Sequence, residues 1–212
     1  DDVIIDAPRI ELLFKIRKRC DLTVLQPAFD PRGKVSHAVT CVQPGNQLRL
    51  TNFVEMTCPL FAAPALCSFI DQFDADLKGW GADWWFLTVC ARVMRGANKD
   101  VKEPHPRHAL RGGCAVVDAI TCINPTDADK SGVREINVLQ GREGRRDTWA
   151  RIRRREGLDE WDHLQFEVIA LDSNGAPASS LAKPHTKPVR IAGTRAYELS
   201  AAKPRAPSPS DS

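Results

Sequence analysis

The chain begins with two adjacent carboxylates, Asp1 and Asp2, which lie shortly before a predicted helix. Such a pair is commonly a solvated turn or a helix cap. Mg²⁺ and Mn²⁺ prefer oxygen ligands, however, and proteins bind them through one or two carboxylates while the ion bridges the phosphates of a nucleotide. Asp1 and Asp2 are therefore candidate ligands of a hard divalent cation.

A third carboxylate, Glu55, follows the segment Thr51-Asn52-Phe53-Val54 and lies among apolar residues. A buried glutamate is costly unless it is paired or bonded to ligand hydroxyls. Glu55 is therefore a candidate substrate contact. Two structural alternatives stay open, because the side chain could also point outward from a strand or form a salt bridge with Arg49.

The segment Gly79-Trp80-Gly81-Ala82-Asp83 precedes a predicted buried helix. Its two glycines permit a tight turn and close approach of the backbone to a ligand, and the face of Trp80 suits the apolar face of a sugar ring. Asp83 lies where a helix N-terminus stabilises negative charge, as a cap or as a general base. The two roles are compatible.

The elements that must position these residues alternate between helices and short apolar strands. Asp6 followed by Pro8 predicts the start of a helix, Pro27 the end of a strand, and Gly157 the end of a helix. The apolar pattern predicts helices over 8–19, from Pro64, over 83–95 and over 147–156, and strands over 22–26, 114–120 and 164–171. This alternation predicts an α/β sandwich.

The domain boundaries follow from composition. Residues 97–112 are charged and predict an exposed loop, and from about residue 172 the chain is rich in Ala, Pro, Ser and Lys. That tail has too little apolar surface to offset its ordering entropy. We therefore predict a folded domain over 1–171 and a disordered tail over 172–212. A nucleotide-binding α/β domain needs strands and a Gly-rich loop before Asp1, so the domain is expected to be incomplete at its N-terminus.

Composition excludes several classes of protein. The chain of 212 residues has a net charge of +3, with 27% charged and 42% hydrophobic residues, which is typical of a globular domain. The basic run Arg151–Arg155 predicts a solvated helix face, so we expect no nucleic acid partner. No apolar run reaches the roughly 18 residues of a membrane span. The seven cysteines occur singly, without the CxxC pairs of a zinc site.

Six segments occur in the order and at the spacing of one protein family: Asp1-Asp2-Val3, Leu25-Gln26-Pro27, Ser36-His37 with Thr40, Leu48–Glu55, Gly79–Asp83 and Val116–Ala119. Over residues 1–125 the chain resembles the DUF707 family, which is related to GT-A glycosyltransferases. The resemblance implies a GT-A-like, mixed-sheet α/β/α sandwich. In that family an Asp-Asp-Asp-hydrophobic segment is similar to the metal-binding DxD motif, so Asp1 and Asp2 would be its second and third acids and would bind Mn²⁺ or Mg²⁺.

The resemblance implies transfer of a sugar from a nucleotide-sugar donor to a hydroxyl of a glycan or other acceptor. The Gly-Trp-Gly-x-Asp segment is similar to the Trp-Gly-x-Glu-Asp segment of inverting galactosyltransferases. Asp83 would then take the proton of the acceptor hydroxyl, which favours inversion at the anomeric carbon. The expected substrate contacts are Glu55, Trp80, Gly81, Asn52, Gln26 and His37.

One departure from the family concerns the metal. Members of the DUF707 family often carry His-Thr-Arg-Pro after the Val-Asp strand, where GT-A enzymes commonly place a metal-binding histidine. Here the stretch is Thr121-Cys122-Ile123-Asn124-Pro125, so Asn124 is the candidate third ligand, through a weaker carbonyl oxygen. A non-catalytic carbohydrate-binding protein therefore stays open as the alternative, with a metal-dependent hydrolase as a third possibility. Outside the motifs, four histidines are predicted at the surface: His105, His108, His163 and His185.

Overall fold

A mixed six-stranded sheet forms the centre of the protein. The structure is a computed structural model that describes residues 3–97, 105–126, 141–178 and 188–191. The sheet has the order β3-β1-β4-β2-β5-β6, in which β1 and β4 are parallel and the other pairs are antiparallel. Its strands are β1 Val24–Phe29, β2 Leu48–Thr51, β3 Leu60–Phe61, β4 Cys114–Cys122, β5 Leu164–Ile169 and β6 Val189–Arg190.

Helices cover both faces of this sheet. Successive residues of a strand point to opposite faces, so one strand contributes to the core on each side. In β4, Cys114 and Val116 pack into one core cluster while Ala115 and Val117 pack into another. The helices are α1 Ala7–Arg19, α2 Ala63–Ile70, α3 Ala82–Ala97, α4 Pro106–Ala109 and α5 Arg142–Glu156. Residues of α1 belong to the second cluster, and residues of α2, α3 and α5 to the first. The α/β class is thus confirmed, and the closer GT-A assignment stays a prediction.

The predicted helix ends agree with the structure where local chemistry determines them. The Asp6 carboxylate caps α1 by accepting a hydrogen bond from the Arg9 N–H at 2.9 Å. Gly157 ends α5 with a φ of 61°, in the left-handed region that glycine adopts without strain. The helix predicted over 83–95 spans Ala82–Ala97, and most of its apolar side chains are buried as expected.

The prediction that Pro27 ends a strand is wrong. Strand β1 continues through Pro27 to Phe29, and its register against β4 shifts between Pro27 and Ala28. Proline lacks a backbone donor and is tolerated at such an irregularity, because the regular ladder of hydrogen bonds is already interrupted there. After β1 ends at Phe29, the chain leads to residues 36–40, which contribute to the candidate site.

The prediction of an exposed loop over 97–112 is wrong for the C-terminal part of that segment. Residues 106–109 form α4, Ala109 is almost fully buried and Leu110 is fully buried. Residues 98–104 lie outside the described residues. The loop prediction relied on charge and proline content, which did not reveal that an apolar pair anchors this segment to the core.

Two stretches of the predicted tail pack on the domain. Residues 171–178 form a turn in which Leu171 bridges Pro177, and Gly175 lies against Ile16 of α1. Further along, β6 adds an antiparallel strand to β5. The domain therefore extends beyond residue 171 for these stretches, and 179–187 and 192–212 lie outside the described residues. No helix within the described ranges is long and apolar enough to cross a membrane.

Candidate functional site

The loop that carries Glu55 is fixed at its start by Asn52. The Asn52 Oδ1 accepts from the Leu164 N–H at 2.8 Å, and its Nδ2 donates to the Asp162 carbonyl at 3.0 Å. Trp161 Nε1 donates to the Asn52 carbonyl at 3.3 Å. Asn52 is fully buried. This predicted substrate contact thus joins the end of β2 to the start of β5, which is a structural role.

Gln26 fixes the backbone of Glu55 in a similar way. Its Oε1 accepts from the Glu55 N–H, and its Nε2 donates to the Pro27 carbonyl at 3.1 Å. The Gln26 side chain is fully buried in the centre of the sheet. Gln26, also predicted as a substrate contact, therefore acts on the site through the position of Glu55.

The Glu55 carboxyl group is buried, with 3% of the residue exposed. Thr40 Oγ1 donates to Glu55 Oε1 at 2.6 Å, and the backbone of His37 also bonds the carboxyl group. Burial raises the pKa of Glu55 to about 8, and the nearby charge of Asp83 acts in the same direction, against the smaller effect of these hydrogen bonds. At neutral pH Glu55 is therefore mostly protonated.

Asp83 lies next to Glu55, in the first turn of α3. Its Oδ1 accepts from the Met56 N–H, so the side chain holds the residue that follows Glu55. The helix begins one residue earlier, at Ala82, so Asp83 is within the first turn rather than at the cap position. Burial of the carboxyl group raises the pKa of Asp83 to about 6. Asp83 is thus mostly ionised at neutral pH, and the site holds one charged and one protonated carboxyl group.

The salt bridge between Glu55 and Arg49 that the sequence left open does not form. Arg49 instead pairs with Asp118 of β4, with Nε 2.7 Å from Oδ2 and Nη2 3.0 Å from Oδ1. Both side chains are fully buried. The guanidinium also donates to the carbonyls of Val39 and Cys41 at 2.8 Å each. Asp118, in the segment Val116–Ala119, therefore holds the segment that carries Thr40 through Arg49. Glu55 has no arginine partner among the described residues.

The Gly79-Trp80-Gly81 turn places Trp80 at the surface. Both glycines have positive φ, of 83° and 91°, as a tight turn of this kind requires. A side chain at position 81 would overlap the Trp149 indole, so Gly81 is needed for packing of α5. Trp80 is 45% exposed, and the Arg146 guanidinium lies 5.1 Å from its ring centroid. Trp80 remains accessible to a ligand, while Gly81 has a structural role.

The predicted metal ligands are described only in part. Asp1 and Asp2 lie outside the described residues. Asn124 is almost fully buried, and its backbone carbonyl accepts from the Lys34 N–H at 2.6 Å. Ile4 and Ile123 form a bridge with hydrogen bonds of 2.8 and 3.1 Å. The chain that leads back to Asp2 therefore runs beside Asn124. Within the described ranges, no three His, Cys, Asp or Glu side chains converge as a metal site would require.

A cavity of about 820 Å³ opens beside the carboxyl pair, and the sequence did not predict it. His37 is one of its wall residues, as are His105, His108 and His163, which the sequence predicts at the surface. His105 and His108 are partly exposed, in agreement with that prediction. The prediction is wrong for His163, which packs against Phe53 and Trp84, and His185 lies outside the described residues. The cavity is lined by His37, Trp84, His105, Arg107, His108, Glu160, Trp161, Asp162, His163, Arg190 and Ile191.

Two of these histidines form an aromatic cluster with Phe53. The centroid of Phe53 lies 4.5 Å from that of His37 and 4.3 Å from that of His163, and the two imidazoles are 5.0 Å apart. Burial lowers the pKa of His37 to about 3 and that of His163 to about 4. Both rings are therefore neutral at physiological pH, and each has one donor and one acceptor nitrogen. Since His37 also bonds the Glu55 carboxyl through its backbone, the cavity and the carboxyl pair share a wall.

Comparisons of the chain with family models, with curated proteins and with solved structures find no match. The resemblance to the DUF707 family therefore depends on the six quoted segments. Four of them supply the core of the site: Gln26, His37 with Thr40, Glu55 and Asp83 come from separate segments that the fold brings together.

The stability of the protein should depend on pH through Glu55. The pKa of this group rises from 4.5 to about 8 on folding, so between these values the folded protein holds a proton that the unfolded chain releases. The contribution is fully present below pH 4.5 and is lost as the pH rises to about 8. Above about pH 7, His37 and His163 are neutral in both the folded and the unfolded chain and no longer oppose this effect. Urea unfolding at about pH 7, 7.5 and 8 should therefore show a falling free energy of unfolding.

Glu55→Gln should reduce this slope, because glutamine keeps the shape of the protonated acid and cannot ionise. Glu143→Gln, at an exposed position of α5, is the matched control and should retain the slope of the wild type. An identical slope in Glu55→Gln and wild type would contradict the raised pKa of Glu55.

Proposed function

We propose that the chain is the catalytic part of a metal-dependent glycosyltransferase, which transfers a sugar from a nucleotide-sugar donor to a hydroxyl acceptor. The observation that carries the proposal is the neighbouring carboxyl groups of the buried Glu55 and the partly buried Asp83, whose pKa values are raised to about 8 and about 6. Environments that separate the pKa values of two neighbouring acids assign them different roles at one pH. Such pairs are typical of sites that move protons.

In the proposed reaction Asp83 is the general base. Its ionised carboxylate takes the proton of the acceptor hydroxyl while that oxygen forms a bond to the anomeric carbon of the donor. The bond from the anomeric carbon to the diphosphate breaks at the same time, and the nucleoside diphosphate leaves with the electron pair. Glu55, protonated at neutral pH, donates a hydrogen bond to a sugar oxygen and orients the ring. The exposed face of Trp80 packs against the sugar.

A divalent cation, Mn²⁺ or Mg²⁺, would supply positive charge that stabilises the leaving diphosphate. We assign it to Asp2 and Asp1, with Asn124 as a further oxygen ligand. This assignment is supported by the bridge between Ile4 and Ile123, because it brings the chain that follows Asp2 alongside the segment that carries Asn124. Oxygen donors of this kind are those that hard cations prefer.

The alternative is a carbohydrate-binding protein without turnover. One contact favours it: Asp83 Oδ1 is engaged by the Met56 N–H, so the carboxylate already has a structural partner. The presence of Asn124, where related sequences carry histidine, favours the same alternative. The two functions differ in a measurable product, since only a transferase releases a nucleoside diphosphate.

The metal assignment is tested by thermal unfolding. Mn²⁺ with a nucleoside diphosphate should raise the melting temperature, because a ligand that binds only the native state stabilises it by about 2.7 kcal/mol at a hundredfold excess over Kd. Asp2→Ala should abolish the shift, and Asp76→Ala, which removes an exposed carboxylate, should retain it. An equal shift in wild type and Asp2→Ala would remove Asp2 from the metal site. Release of nucleoside diphosphate from a panel of sugar donors then separates the enzyme from the binding protein.

A further inference from the structure

The cavity beside the carboxyl pair combines flat apolar walls with mixed hydrogen-bonding groups and a cation. We propose that it is a binding site for an anionic pyranose, a six-membered sugar ring that carries a carboxylate or a phosphate. Its volume of about 820 Å³ lies within the range of small-molecule sites. The inference goes beyond the proposed transfer reaction, because neither Glu55 nor Asp83 lines the cavity.

The apolar walls are rigid aromatic rings. Trp84 and Trp161 meet edge to face with centroids 5.1 Å apart, and Trp84 stacks on His163 at 5.7 Å with 16° between the planes. Trp161 is further fixed by its Nε1, which donates to the Asn52 carbonyl at 3.3 Å. Aromatic rings held in this way offer a large contact area at little cost in conformational entropy, and the carbon-bound hydrogens of a pyranose present a flat apolar face to them.

The polar groups of the cavity suit sugar hydroxyls, which both donate and accept hydrogen bonds. The neutral imidazoles of His37 and His163 each contribute one donor and one acceptor. A ligand with only acceptors or only donors would leave half of these groups unsatisfied, which is costly in a partly buried site. The match therefore favours a polyhydroxylated ligand over a purely apolar one.

The charge of the cavity favours an anion. The acids of the lining are engaged by the protein: Asp162 pairs with Arg190 at 3.1 Å, and Glu160 accepts from Trp149 Nε1 at 2.7 Å. Arg107 differs from them, because it lines the cavity and no described residue forms an ion pair with its guanidinium. A carboxylate or phosphate on the ligand would supply that counter-charge, and guanidinium groups bind both anions through paired hydrogen bonds.

Binding is tested by calorimetric titration of the full chain with glucuronate, glucose 1-phosphate, glucose and inorganic phosphate, without metal or nucleotide. Both anionic sugars should bind roughly tenfold or more tightly than glucose and than phosphate, as expected for a charge-assisted hydrogen bond added to ring contacts. Arg107→Gln should reduce their affinity to that of glucose. Arg92→Gln, at an exposed position of α3, should leave every affinity unchanged.

Three results would overturn the inference. The first is equal affinity for glucose and the anionic sugars, and the second is phosphate binding as strong as that of glucose 1-phosphate, which would indicate an anion site without sugar recognition. The third is unchanged affinity in Arg107→Gln. If that variant does not fold, Arg107→Lys is the substitute. It should bind the anionic sugars more weakly than the wild type binds them, but more tightly than it binds glucose, since lysine keeps the charge and loses the paired geometry. A negative result would not count against the proposed transfer reaction, because the titrations contain no nucleotide-sugar donor.

Discussion

Asp83→Asn should lower the turnover of sugar transfer by roughly 10²–10⁴-fold, the usual contribution of a general base. Asparagine retains the Oδ1 that accepts from the Met56 N–H, so the loop carrying Glu55 should keep its position. Donor binding should then change little, and the loss should fall on turnover. Release of nucleoside diphosphate in the presence of acceptor measures turnover, and titration with the donor measures binding.

The wild-type reaction should also slow as the pH falls through about 6, because protonation of Asp83 removes the base. Asp76→Asn, an exposed acid in the segment before α3, is the matched control and should keep both the rate and its pH profile. Unchanged turnover in Asp83→Asn would exclude Asp83 as the base. A variant that fails to fold would show that Asp83 mainly supports the structure.

Removal of Asp118 should cost about 3–5 kcal/mol of unfolding free energy, which is the penalty for leaving a buried charge without its partner. In Asp118→Ala the Arg49 guanidinium would keep its carbonyl contacts and lose both carboxylate oxygens, at 2.7 and 3.0 Å. The segment that carries Thr40 should loosen as well, because the Gln43 N–H donates to Asp118 at 2.8 Å. Urea unfolding with a spectroscopic readout measures the loss.

Two further variants determine whether the loss arises from the buried charge. Asp76→Ala breaks an exposed ion pair with Arg151 and should change stability by no more than about 1 kcal/mol. Arg49→Met combined with Asp118→Leu should recover part of the loss, since apolar side chains of similar volume remove the unpaired charge. A loss in Asp118→Ala no greater than that in Asp76→Ala would contradict the assigned role of the pair.

Local sequence was sufficient to predict the longer helices and strands, namely α1, α2, α3, α5, β1, β4 and β5. The cap at Asp6, the apolar run of α3 and the left-handed Gly157 each determine their element through neighbouring residues. Prediction failed where a distant partner decides the outcome. Strand β1 passes Pro27 because of an irregularity in its register against β4, and no local pattern encodes that register.

The candidate site shows the same difference between what local sequence predicts and what distant partners determine. The sequence indicates Glu55 and Asp83 as separate candidate acids. Only the fold shows that they lie close enough to interact and that Asn52 and Gln26 support the loop that carries Glu55. The cavity was missed because its walls come from five separate parts of the chain. The one signal available was the spacing of Trp161 and His163, which carries no information about Trp84 or His37.

The attachments of the Glu55 loop also affect the entropy of ligand binding. Backbone or side-chain groups of Glu55 and Met56 are held by Gln26 of β1, by Thr40 and by Asp83 of α3. A ligand that bonds to Glu55 therefore meets a loop that is already ordered and does not have to immobilise it. Pre-organisation of this kind leaves more of the contact energy to appear as affinity, so even a small sugar fragment could bind measurably here.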